Sequence, residues 1–278
     1  MNATDSQKPL CLKQDDHNLE LEIKYLTDRQ TMEKLLHFIE EQGPPFIPEP
    51  VARDERVNIY YDTRKKFHLY RRGVECRSRE KNPANAHSKG FKYDLKTPLD
   101  LSNPQFSPAS DGILYRREYS GKGAQETPSL SQFGTGTLKG YLSTIHNKTL
   151  VPWVKGHFTR SRFNFAPTGH PDAVIEIAFE TGYFTDCDET EKSDPLYIIE
   201  MELKKGTIDA LRAASQALDE RYPGCLKTGT QTKGAMGLAW IQGIMDKGVQ
   251  KRFADATAWR AIRGSGSSSP PPLRQPDL

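Results

Sequence analysis

A two-residue alternation of apolar and charged positions recurs along the chain, and it predicts strands. It opens at residues 19–26, where Leu19, Leu21, Ile23 and Tyr25 alternate with Glu20, Glu22 and Lys24. Residues 57–62 (VNIYYD) form a second candidate. Further on, Val74, Cys76 and Ser78 oppose Glu75, Arg77 and Arg79, and Tyr93 and Leu95 oppose Lys92, Asp94 and Lys96. Tyr115 and Tyr119 oppose Arg116 and Glu118, with Arg117 on the tyrosine side. Ser161, Phe163 and Phe165 oppose Arg160 and Arg162, and Ile175, Ile177 and Phe179 oppose Glu176 and Glu180. Tyr197, Ile199, Met201 and Leu203 oppose Glu200, Glu202 and Lys204. Eight strands are predicted, and seven of them carry an ionic face.

Helical spacing is sparser. Thr27 is placed to cap a helix whose apolar stripe is Met32, Leu35, Leu36 and Ile39, and Gly43 ends it before Pro44-Pro45. A short helix is expected within 135–147. Another runs near 208–222, capped by Thr207, and a last helical stretch runs from about 234 to 262. Segments 97–111 and 120–130 are rich in Pro, Ser and Gly and read as loops. Residues 1–18 read as a flexible polar arm and 264–278 (GSGSSSPPPLRQPDL) as a disordered tail. The expected organisation is one domain over 19–263, β-rich α+β.

A single charged strand face usually looks at water. Seven in one domain allow another arrangement, in which the charged faces look at each other inside a closed barrel with no strand edges. A dry lumen holding both signs would cost several kcal/mol per ion, order of magnitude only. A charged ligand and metal ions would offset that cost, so the pattern points to a polar tunnel for an ionic ligand. The basic positions suit phosphate oxygens. Carboxylates grouped without His or Cys suit hard cations, Mg²⁺ or Mn²⁺.

Composition narrows the field. Of the 278 residues, 39 are Lys or Arg and 36 Asp or Glu, a net charge of +3. That balance is unlike a general nucleic-acid-coating protein, and no nucleic-acid partner is expected. No apolar run reaches membrane-spanning length, and the first eighteen residues lack the apolar core of a secretory signal. The four cysteines, Cys11, Cys76, Cys187 and Cys225, are far apart, which disfavours a zinc site or disulfide framework and agrees with a reducing cytoplasm.

Glu20-Leu21-Glu22-Ile23-Lys24 resembles the E-x-E-x-K signature of the CYTH family, the triphosphate tunnel metalloenzymes. The resemblance continues in order over residues 19–240. Tyr60-Tyr61-Asp62-Thr63 is similar to the family's Y-[FY]-D-T, Arg77-Ser78-Arg79 to R-x-R, and Arg116 with Glu118 to R-x-E. Lys96 and the Arg160/Arg162 pair fit its basic strands. Residues 176–182 (EIAFETG) resemble E-x-x-x-D-x-G with Glu180 in the Asp place. Residues 200–206 (EMELKKG) resemble E-x-E-L-K-x-G, and Thr232-Lys233 a late S-K. Residues 120–150 match poorly.

The resemblance implies an eight-stranded antiparallel β-barrel tunnel with a charged lumen, covered by helices. It implies metal-dependent hydrolysis of a triphosphate, inorganic triphosphate foremost, to phosphate and pyrophosphate. Arg77, Arg79, Lys96, Arg116, Arg160, Arg162, Lys204 and Lys233 would bind the substrate. Glu20, Glu22, Glu118, Glu200 and Glu202 would hold Mg²⁺ or Mn²⁺, and Lys24, Glu176 and Glu180 would serve catalysis. Two alternatives stand beside it: an adenylyl cyclase making cyclic AMP from ATP, and a non-catalytic module binding polyphosphate or a nucleotide. The sequence leaves the oligomeric state open.

Overall fold

The computed structural model describes residues 18–42, 47–48, 54–64, 67–81, 90–99, 112–133, 137–143, 145 and 148–245. The arm at 1–17, the tail at 264–278, Gly43 with Pro44-Pro45, and most of the 97–111 segment lie outside the described residues. The chain divides into two compact units, Met1–Leu238 and Ala239–Leu278. Of the second, residues 239–245 are described, and they are helical. In the first, residues 233–238 are helical, so the predicted late helix is present as far as the described residues reach.

All eight predicted strands are present: β1 (Leu19–Thr27), β3 (Asp54–Thr63), β4 (Glu75–Lys81), β5 (Gly90–Pro98), β6 (Leu114–Gly123), β7 (Leu150–Phe165), β8 (Val174–Thr185) and β9 (Leu196–Lys205). Two-residue strands β2 (Ile47–Pro48) and β10 (Lys227–Thr228) flank β7 and β1. The pairing order is β1-β6-β5-β4-β3-β7-β8-β9, every pair is antiparallel, and β9 returns to β1. Closure leaves the eight-strand wall without an edge. It is the expected barrel.

The apolar faces point outward and are covered. On one side Leu21, Ile23 and Tyr25 of β1, with Ile175, Ile177 and Phe179 of β8 and Ile199 and Met201 of β9, pack with two helices. These are α1 (Arg29–Gln42), contributing Met32, Leu35 and Ile39, and α3 (Ile208–Arg221), contributing Leu211 and Ala214. On the other side Ile59, Tyr61, Cys76, Tyr93 and Leu95 pack with Leu69, Leu130, Phe133 and the short α2 (Thr137–Leu142). Cys76 is buried and burial pushes its thiol up, as for a packed rather than a reactive cysteine. Asp62 has an architectural duty. Its buried carboxylate accepts the backbone N–H groups of Thr63, Leu69 and Tyr70 at 2.6, 3.0 and 2.8 Å and fixes the turn after β3.

Three sequence expectations are corrected. Thr27 is the last residue of β1, not the helix cap; the cap is Asp28, whose carboxylate accepts the Thr31 N–H at 2.9 Å. Thr207 sits at the N-cap of α3 but makes no side-chain cap bond. Residues 120–123 belong to β6 rather than a loop. Gly123 makes room for a ring: a Cβ there would fall 2.3 Å from the Tyr93 hydroxyl.

Candidate functional site: a charged lumen

The charged strand faces meet inside the barrel. Side chains from strands that are not neighbours touch there, on the faces opposite the helix-covered apolar ones. Lys96 of β5 reaches Glu20 of β1 at 2.5 Å, with β6 between them. Arg77 of β4 approaches Glu118 of β6 at 3.9 Å across β5. Arg160 of β7 reaches Glu200 of β9 at 3.4 Å across β8.

Two walls differ in sign. On the acidic wall, Glu22 is directly opposite Glu202, and Glu202 directly opposite Glu176. This row of carboxylates crosses three strands. Lys24 lies on the same wall, fully buried, 3.1 Å from Glu22 and 3.2 Å from Glu200. Lys204 serves the outer end, 2.6 Å from Glu202 and 3.7 Å from Glu176. The basic wall carries Arg77, Arg79, Lys92 and Lys96 on β4 and β5, with Arg116 on β6 and Arg160 and Arg162 on β7.

Most of the buried charges in the lumen have partners of opposite sign. Arg116 pairs with Glu22 and, at 3.6 Å, with Glu20. Arg160 holds Glu180 at 2.7 Å and Glu176 at 2.8 Å. Lys233 enters at the start of the helix at 233, 2.5 Å from Glu180 and 2.9 Å from Glu200. For Glu20, Glu180, Glu200 and Lys24, burial alone would favour the neutral form, and the partners override it. Against burial, Lys96 and Arg116 hold Glu20 below the ordinary range, Lys233 and Arg160 do so for Glu180, and Lys233, Lys24 and Arg160 for Glu200. Glu22 and Glu200 likewise keep Lys24 above its ordinary value although burial opposes it. Glu202 is the exception: burial raises it, and Lys204 offsets this only in part.

The two ends of the lumen are unlike. At one end Tyr60, Phe158 and Phe184 fill the interior, with ring centroids 6.3 Å apart for Tyr60–Phe184 and 5.6 Å for Phe158–Phe184. The helix beginning at 233 packs there, and a Cβ on Gly237 would fall 3.0 Å from the Phe184 ring. The Tyr60 hydroxyl is buried with no hydrogen-bond partner. At the other end the charged side chains become accessible: Arg162 is 23% exposed, Glu118 26% and Lys204 39%.

All the predicted site residues therefore converge on one lumen, with two adjustments. Glu176, expected to stand with the catalytic groups, belongs to the carboxylate row. Glu118, expected among the metal ligands, sits with Lys96 (3.5 Å) and Arg77 on the basic wall. Sequence reasoning left out Glu75, Asp94, Asn58, Tyr60 and Arg56. Asp94 holds Arg77 at 3.0 Å and Lys92 at 3.1 Å, and Glu75 accepts the Gly234 N–H at 2.9 Å. The alternation places both acids on the lumen face beside Arg77 and Lys96, and that signal was sufficient to find them.

The donor chemistry fits a hard divalent cation. The carboxylate row offers only oxygen ligands, Glu202 lacks a full complement of positive charge, and Glu20 Oε2 is buried without a hydrogen-bond partner. Among the described residues no three such side chains already converge as a metal group, because lysines and arginines hold the carboxylates. Elsewhere, a groove of about 800 Å³ lies against the outer wall between α1 and β3, β7 and β8, lined by Met32, Leu36, Phe179 and Tyr197 among others. None of the predicted site residues lines it.

No family model and no curated protein matches the sequence. Solved structures similar to the chain include the PH1819 protein of Pyrococcus horikoshii OT3, at 13% identity over 80% of this chain and 99% of that one, with a TM-score of 0.42. They also include the Mediator head module of Schizosaccharomyces pombe, at 8% identity over 75% and 98%, TM-score 0.39. A third is the mimivirus capping enzyme triphosphatase, at 13% identity over 73% and 88%, TM-score 0.38. These likenesses are distant and by themselves assign no activity to this chain.

Proposed function

We propose that the protein is a divalent-metal-dependent triphosphatase that cleaves a triphosphate, inorganic triphosphate foremost, into phosphate and pyrophosphate within the lumen. The supporting observation is the division of one closed interior into a basic wall and a row of carboxylates, with an aromatic seal at one end. A linear polyanion fits that shape end-on. Its oxygens would replace the carboxylates as partners of Arg77, Lys96, Arg116, Arg160 and Lys233, with Arg79, Arg162 and Lys204 toward the mouth. Arginine forks suit such oxygens in pairs. The carboxylates released from those pairs, Glu20, Glu22, Glu200 and Glu202, would hold Mg²⁺ or Mn²⁺. When bound, such an ion polarises a phosphoryl oxygen and lowers the pKa of water.

The chain's own part is largely positioning and charge. Arg160, Lys233 and Lys96 neutralise charge on the transferred group. Lys24, locked between Glu22 and Glu200, holds both carboxylates aimed inward. Glu176 and Glu180 lie within reach of Arg160 and orient it. No covalent intermediate on the protein is required.

A panel of substrates tests this reading. Triphosphate, ATP and thiamine triphosphate are incubated with the protein and Mg²⁺ or Mn²⁺, with and without chelator. Metal-dependent phosphate release from triphosphate is expected. Cyclic AMP and pyrophosphate from ATP would instead assign a cyclase, and tight binding without turnover a sensor.

A further inference from the structure

We propose that the lip of the tunnel along β4, β5 and β6 is a subsite for an additional phosphate group, making linear polyphosphates longer than triphosphate the better substrates. The inference rests on the triphosphatase reading and extends it outward from the lumen. Its basis is a row of cations in register: Arg79 is directly opposite Lys92, and Lys92 directly opposite Lys122. All three share the lumen face, because the neighbouring row on that face joins Arg77, Asp94 and Ser120, whose hydroxyl donates to Asp94 at 2.8 Å.

Like charges directly opposite one another repel. Here one carboxylate serves the group. Asp94 lies 3.1 Å from Lys92 and 3.9 Å from Arg79, and Arg77 already claims it at 3.0 Å. Lys122 is exposed and has no ion pair among the described residues. Burial lowers Arg79, and the guanidiniums of Arg77 and Arg56 lower it further. Deep in the lumen, by contrast, each cation has its acid. The unmatched positive charge thus lies just outside, on the path of a chain whose first three phosphates occupy the interior.

The lip favours polyphosphate over the phosphates of an RNA strand. Among the described residues, the lumen-facing positions at this end include Arg56, Arg79, Lys92, Ser120, Lys122, Arg162, Asn164 and Lys204, with acids between them. None offers an aromatic ring for base stacking, the usual partner of a single-stranded nucleic acid.

Lys122 touches none of the residues assigned to triphosphate, so Lys122→Gln and Lys122→Glu test the subsite. Steady-state kinetics on triphosphate and on tetraphosphate are compared with the wild type. The KM for tetraphosphate is expected to rise roughly 1.5-fold to fivefold in Lys122→Gln, as for loss of one exposed charge contact, and further in Lys122→Glu. The kcat, and the KM for triphosphate, stay unchanged. An equal rise for both substrates, or none for tetraphosphate, overturns the proposal. Equilibrium binding in the presence of chelator reads the lip without turnover. Wild-type protein binds tetraphosphate more tightly than triphosphate, and Lys122→Glu abolishes the difference; equal wild-type affinities overturn the subsite even if triphosphate is hydrolysed. If triphosphate is not hydrolysed but the binding difference holds, the hydrolase reading fails and the lip stands. A 5′-triphosphorylated RNA that responds to Lys122→Glu when tetraphosphate does not would assign the lip to nucleic acid.

Discussion

Arg160 shows how much of this lumen depends on single side chains. One guanidinium binds Glu180, Glu176 and Glu200. Removing it leaves three buried carboxylates short of charge, so Arg160→Ala is expected to cost about 3 kcal/mol of stability, the lower end for a broken buried pair, as read by urea denaturation. Asp94 gives a second, pH-dependent case. Burial opposes its ionisation, but Arg77 and Lys92 hold its pKa below the ordinary value. A lowered carboxylate contributes stability that is complete above about pH 4 and is lost as the pH falls through the folded-state pKa. Wild-type protein should therefore lose stability in acid more steeply than Asp94→Asn, and the two melting curves should converge as the pH drops. Parallel curves would rule Asp94 out as a source of the acid sensitivity.

At the scale of elements, the strands were legible because each carries two incompatible faces and burial enforces the alternation. The same alternation exposed Glu75 and Asp94, but the motif resemblance assigned no acids to β4 or β5, so they were left out. The start of α1 was misread because Thr27 and Asp28 are adjacent and both can cap; pairing of Thr27 with Tyr197 keeps it in β1 and passes the cap to Asp28. Asp28→Ala should cost about 1 kcal/mol, whereas Thr27→Ala should cost less, since its hydroxyl donates only to the exposed Cys225 carbonyl at 3.0 Å. Gly121 and Gly123 mimic a loop in composition, although both lie in β6 and Gly123 makes room for Tyr93. Strands β2 and β10 hold too few residues to show a period. Gly182, read as part of a charged motif, proves steric: an added Cβ would fall 2.1 Å from the His157 carbonyl oxygen. Gly182→Ala is expected to destabilise the β7–β8 pair by about 2 kcal/mol, measured by thermal melting.

For the whole molecule, closure converts scattered acidic and basic strand faces into one interior with two walls. The helices cover the outward apolar faces, and Tyr60, Phe158 and Phe184 seal one end. Among the described residues no helix is long and apolar enough to cross a membrane. The barrel was foreseeable from the number of ionic faces. The sealed end was not, because Tyr60, Phe158 and Phe184 lie on separate strands and meet only after closure. Whether the lumen performs metal-assisted hydrolysis is decided by phosphate release from triphosphate, compared between wild type and the Glu20→Gln/Glu22→Gln double variant, each with Mg²⁺ and with chelator. Release by wild type only with metal is expected, with a loss of at least about a hundredfold in a folded double variant, in line with removal of groups that support the transition state. Undiminished, chelator-resistant release by the double variant would contradict a metal held by the carboxylates of β1.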